Sequence, residues 1–257
     1  MRALWAVYKR ETVHYFRSFI AYGIAFALIG FMGLYFMGNI GFVQQQSAFQ
    51  QGGGIPAADL AAANLSVFTF LLFLISPLLT MRLLAEETRE GTLEVLMTLP
   101  MGEWAFVVGK FLAAWTFYTV ILGLTLVHVI LLAQYGPLNV GLTASNYLGA
   151  WLYGGATLAV STIWSAVTED QLVAAFLSAA TVLALYLANS LAVIVSDQRL
   201  VQGASNFVRQ LGLTSHYQDT MAQGILRAED VAYFLLMMFV ALFITTLIVG
   251  TRRWRAS

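Results

Sequence analysis

The chain has 257 residues, of which 60% are hydrophobic and 10% charged, against about 25% charged in an average soluble domain. Lys+Arg and Asp+Glu both total 13, so net charge gives no case for nucleic acid as a partner, and the absence of cysteine excludes disulfides and thiolate chemistry. Apolar runs spread from end to end leave no stretch for a separate soluble core, which implies one membrane domain over 1–257.

Residues 1–18 predict an interfacial amphipathic helix. At 100° per residue, Leu4, Trp5, Tyr8, Thr12, Tyr15 and Phe16 share a face, with Arg2, Lys9, Arg10 and Arg17 on its flank. Such a helix would lie on the membrane surface, with its aromatics among the headgroups and its cations near anionic lipid. The run that follows is longer than a signal-peptide core and is not followed by a small-x-small cleavage site, so it reads as a retained first crossing.

Spanning the hydrocarbon takes about 20 apolar residues as a helix, and six charge-poor runs qualify: 19–37, 65–81, 111–133, 147–167, 172–195 and 231–250. Basic residues stay on the cytoplasmic side. With the N-terminus inside, every Lys and Arg except Arg199, Arg209 and Arg227 falls there, so both termini are expected to be cytoplasmic. Lys110 then snorkels to the cytoplasmic interface. The first two outer loops, 39–64 and 134–146, carry no basic residue. The third, 196–230, has charges of both signs and apolar positions at helical spacing, including Phe207, Val208, Leu211 and Leu213, which predict short helices.

The densest charge lies between the second and third crossings. Arg82 and Glu86, like Glu86 and Glu90, are i,i+4 neighbours; Gly91 can end that helix and Pro100 can open the next. From the residues alone, 86–100 is either a knob for docking a soluble partner or a solvated loop of self-pairing charges. Inside the membrane, His128, Asn189 and Trp164 are polar candidates, although a lone intramembrane His or Asn more often serves as an interhelical hydrogen-bond partner. Small-residue patterns around Gly23, Gly30 and Gly33, and from Gly149 to Gly155, permit close packing within the chain or between chains. His14, His128 and His216 fall in three compartments, so no metal site is expected, and no nucleophile or paired intramembrane carboxylates suggest an enzyme.

The stretch Leu84-Ala85-Glu86-Glu87, Arg89, Gly91-Thr92-Leu93-Glu94, Leu96 and Thr98-Leu99-Pro100, with Gly109-Lys110 opening the next crossing, resembles the ABC-2 type transporter permeases. His216 to Asp219, Gly224-Ile225, Glu229-Asp230-Val231, Tyr233-Phe234 and Arg252-Arg253-Trp254 are similar to members associated with gliding motility. That subgroup usually has Ile-Asp where this chain has Ala228-Glu229-Asp230. The resemblance implies an all-α permease of six crossings with short helices in its last outer loop. It implies a bacterial inner-membrane exporter in which two permease chains, identical or different, pair above two copies of an ATPase subunit. Glu86, Glu87, Arg89, Gly91, Thr92, Glu94, Leu96 and Pro100 would form the main ATPase contact, and Glu169 and Asp170 a smaller one.

ATP and Mg would be bound by that partner and no cofactor by this chain, since its only Gly-Lys, Gly109-Lys110, lacks the glycine and the Ser or Thr of a P-loop. An extracytoplasmic accessory protein is a further expected partner. The alternative is a non-transporting scaffold that passes ATPase-driven motion to an extracytoplasmic partner.

Overall fold

A computed structural model describes residues 2–49, 57–92, 102–134, 138–195 and 202–253. Its helices, in chain order, are α1 (Arg2–Tyr15), α2 (Phe19–Phe49), α3 (Ala57–Thr80), α4 (Ala85–Arg89), α5 (Glu103–Leu124), α6 (Leu126–Leu132), α7 (Val140–Val167), α8 (Gln171–Val195), α9 (Gln202–Leu211), α10 (Leu213–Tyr217) and α11 (Ala228–Arg253), with a 3₁₀ turn at Met221–Gln223. No strand occurs among the described residues.

Among the described residues, five stretches are long and apolar enough to cross a membrane: Phe19–Gly41, Leu60–Arg89, Glu103–Leu132, Gln171–Leu191 and Ala228–Thr251. The sixth predicted crossing is α7. It has 28 residues, about 42 Å of helix at 1.5 Å per residue, and, being rich in Gly, Ala, Ser and Thr, is not among these five. The reason is its place: α7 packs against α3, α5, α8 and α11, and most of it from Gly149 to Ala166 is buried. A helix surrounded by protein needs no lipid-facing apolar surface, so Gly, Ala, Ser and Thr can let its neighbours approach closely. Tyr118 lies against Gly154 and donates a 2.6 Å hydrogen bond to the Ala150 carbonyl, while Trp115 stacks on Trp151 at 4.3 Å between ring centroids.

The lipid face is on the outside of this arrangement. Phe19, Phe26, Leu34 and Met37 of α2, Leu172 and Phe176 of α8, and Leu236 and Phe239 of α11 are exposed large apolar side chains. Near Gly23, Gly30 and Gly33 of α2 there is open space, whereas Gly149, Gly154 and Gly155 are pressed against Tyr217, Tyr118 and Trp115. The two small-residue patterns therefore do different work: the second packs this chain's own core, and the first is unused within it.

Several elements extend past the apolar runs. α3 begins at Ala57 and α5 at Glu103, because the flanking residues continue the backbone hydrogen bonding without a breaker. The helix through 103–132 is interrupted at Thr125, whose hydroxyl donates to the Leu122 carbonyl at 2.7 Å and lies 3.1 Å from the Tyr147 hydroxyl. α7 starts where the Asn139 side chain accepts from the Leu142 amide, an N-cap.

Candidate functional site: a charged elbow and its ion cluster

A four-residue turn, 81–84, separates α3 from α4. Arg82 donates to both carboxylate oxygens of Glu86, each at 2.9 Å, which realises the i,i+4 pairing expected from spacing. The Ser165 hydroxyl, buried at the end of α7, accepts from the Leu84 amide at 3.0 Å and the Ala85 amide at 3.2 Å, and donates to the Met81 carbonyl at 3.2 Å. These amides belong to the start of α4, where an uncapped N–H would otherwise be orphaned. One serine thus fixes the short helix to the centre of the bundle. Gly91, at φ +69°, adopts the left-handed conformation that ends a helix at least steric cost.

Beside α4 sits an alternating set of four charges. Lys110 Nζ on α5 lies 3.1 Å from Glu11 Oε1 and 2.9 Å from Glu87 Oε1. Arg10 Nη2 reaches the same two oxygens, at 2.7 and 3.0 Å. Lys110 is buried at 4% exposure. It does not snorkel as sequence reasoning expects, because two carboxylates within the protein offer it a better partner than the headgroup region. The cluster joins α1, α4 and α5 at one point.

The same contact holds one face of the amphipathic α1 against the bundle, while Trp5 and Val13 on its other side stay exposed. Val7, Glu11 and Tyr15 form an i,i+4 stripe that is buried, and α1 packs along α5. Gly109 receives Val7, Tyr8 reaches the Thr116 hydroxyl at 3.1 Å, and Tyr15 donates a 2.6 Å bond to the Leu79 carbonyl. Burial raises the tendency of Glu11 to hold a proton, but Lys110 and Arg10 overcome that effect, so its carboxyl sits below the usual range and stays ionised. Burial raises the Tyr15 phenol well above its ordinary value.

Next to the cluster lies a cavity of about 670 Å³, lined by His14, Arg82, Glu86 and Glu90 among others. Arg89 at the end of α4 and Glu90 just after it are exposed. Glu94, Leu96 and Pro100, and with them the second half of the predicted coupling segment, lie outside the described residues. Asp170 caps α8, accepting from the Leu172 amide at 2.8 Å and the Val173 amide at 3.2 Å. It and Glu169 stand in the turn between α7 and α8, at the same end of the bundle as α4, which touches both helices.

The intramembrane polar candidates are not brought together. His128 packs on Phe36 at 4.7 Å between ring centroids, Trp164 donates to the Thr181 hydroxyl at 2.9 Å, and Asn189 meets Asp219 at 3.5 Å. Among the described residues no group of three His, Asp or Glu side chains could hold a metal ion.

Sequence reasoning missed Glu11 and Ser165. Glu11 had a usable signal, as the lone acid in a basic N-terminal segment, four residues from both Val7 and Tyr15 on the buried stripe. Ser165 had none, since a serine in a small-residue helix looks like any other packing residue.

These features are those of a multi-pass helical membrane protein with a charged cluster at one end. The chain belongs to the ABC-2 family: the model described as ABC-2 family transporter protein matches residues 5–255. No curated protein matches the sequence.

Proposed function

We propose that this chain is the permease subunit of an ATP-binding cassette exporter and is driven by a separate ATPase docked on the elbow formed by α4 and the residues after it. The observation that carries this reading is the attachment of α4. Ser165 ties it to α7 and the ion cluster ties it to α1 and α5, so a push on its exposed side reaches helices that cross the bundle. Glu86, Arg89, Gly91, Thr92 and, beyond the described residues, Glu94 to Pro100 form the main contact, with Glu169 and Asp170 the second. Two ATPase copies and a second permease chain complete the assembly, and the open glycine face of α2 supports pairing through that helix. Both termini are cytoplasmic, which places the elbow on the ATP side. ATP and Mg are bound by the partner, and this chain performs no hydrolysis. Likeness to gliding-motility permeases supports a bacterial source and leaves the cargo open.

Glu87 belongs to the buried cluster, so the docking test leaves it intact. With Glu86→Lys, Arg89→Glu and Glu94→Lys combined, vesicles holding the chain and its ATPase lose permease-dependent ATP hydrolysis, down to the rate of the ATPase alone. Hydrolysis unchanged in a correctly inserted variant contradicts docking at α4.

A further inference from the structure

The end of the bundle opposite the charged elbow is closed by a fold of short helices. Leu213, Tyr217 and Met221 are fully buried there; Thr214 donates to the Tyr186 carbonyl of α8, and the Ser145 side chain of α7 donates to the Met221 carbonyl. The His216 ring and the Tyr233 hydroxyl fasten this fold to the start of α11. His216 Nδ1 lies 2.7 Å from Asp230 Oδ1, and its Nε2 lies 3.1 Å from the Gln210 carbonyl oxygen.

Proton bookkeeping decides what this geometry requires. A carbonyl oxygen can only accept, so Nε2 must carry a hydrogen. A neutral imidazole then has none left for Nδ1, which would present a lone pair to a carboxylate oxygen at 2.7 Å. The contact holds only if one further proton lies between them, as imidazolium with carboxylate or imidazole with carboxylic acid. Two other features favour that proton. The ring stacks on Tyr233, 3.9 Å between centroids and 18° from parallel, an arrangement that attracts a cation. Asp230 is buried at 3% exposure and its Oδ2 has no hydrogen-bond partner among the described residues, so an uncompensated negative charge there would be costly.

We propose that His216 and Asp230 form a proton-binding latch: while the pair holds one proton, the α9–α10 fold is fastened to α11, and when the proton leaves, that end of the bundle loosens. Arg209 on α9, Asp219 after α10, and Arg227 and Glu229 at the start of α11 are the other charged groups of these elements; Asp230 is the ring's ion-pair partner among the described residues. Tyr233, whose hydroxyl donates to the Leu211 carbonyl at 2.6 Å, holds the stacking face in place. The latch stands on this geometry and does not depend on which cargo the transporter moves.

Hydrogen exchange of the full chain in lipid nanodiscs, corrected for the intrinsic pH dependence of exchange, reads the latch through the amides of 207–217. Histidine changes charge between about pH 5 and 8, so the scan covers that interval. In the unmodified chain, protection of 207–217 falls by about tenfold or more across it, as expected for a local opening linked to one proton. Asp230→Asn removes the requirement, because the asparagine amide can donate to Nδ1 while Nε2 donates to Gln210. That variant stays protected at every pH. His216→Gln is poorly protected at every pH. A flat profile in the unmodified chain overturns the proposal, as does an Asp230→Asn variant that either follows the unmodified profile or is unprotected throughout.

Discussion

Lys110→Met is expected to destabilise the chain by about 3–5 kcal/mol, the usual result of removing one partner from a buried charge set. Lys110 sits between Glu11 and Glu87, and the methionine leaves two carboxylates facing each other with only the half-exposed Arg10 to compensate. α1 should come away from α5, seen as early proteolytic loss of residues 1–18 and a lower melting temperature in detergent. The triple change Lys110→Met, Glu11→Gln and Glu87→Gln should recover most of the loss, because a shape-matched neutral set avoids the desolvation cost. A Lys110→Met protein as stable as the parent would show that the cluster is not buried as described.

Gly154→Ala should be nearly as damaging. A methyl group at that position would overlap the Tyr118 ring, and Tyr118 is itself fully buried and hydrogen-bonded to Ala150. Moving the ring sacrifices that bond and strains the packing between α5 and α7, a cost of about 3 kcal/mol or more. Gly30→Ala is the internal comparison: nothing lies within 4 Å of the new methyl, so monomer stability should be unchanged. Melting temperatures of the two variants in one detergent check both statements. Equal stability of Gly154→Ala and the parent would mean that α5 and α7 are not in this contact.

These two positions show how far the sequence can be read. Apolar runs locate the helices because hydrocarbon imposes a length and a composition on any segment that faces it. The run 147–167 is found the same way, although α7 satisfies its neighbours more than the lipid and so carries glycine, serine and threonine where a lipid-facing helix carries leucine. The pairing of Arg82 with Glu86 was legible because it is local, set by helical spacing. The cluster was not, since Glu11, Glu87 and Lys110 are far apart in the chain and meet only once α1 is laid against α5. An isolated lysine at the edge of an apolar run gives one signal for two fates, snorkelling or burial, and only the presence of acids on neighbouring helices separates them. His216 and Asp230 stood in a segment noted for its resemblance, yet their contact depends on how the short helices fold back onto α11.

Affinity purification of the tagged chain from its native membrane tests the central claim most directly. A P-loop ATPase should be recovered in equal amount and be lost when Glu86, Arg89 and Glu94 are reversed in charge. Repeated recovery of the chain without an ATPase, in a detergent that keeps such complexes together, would contradict it.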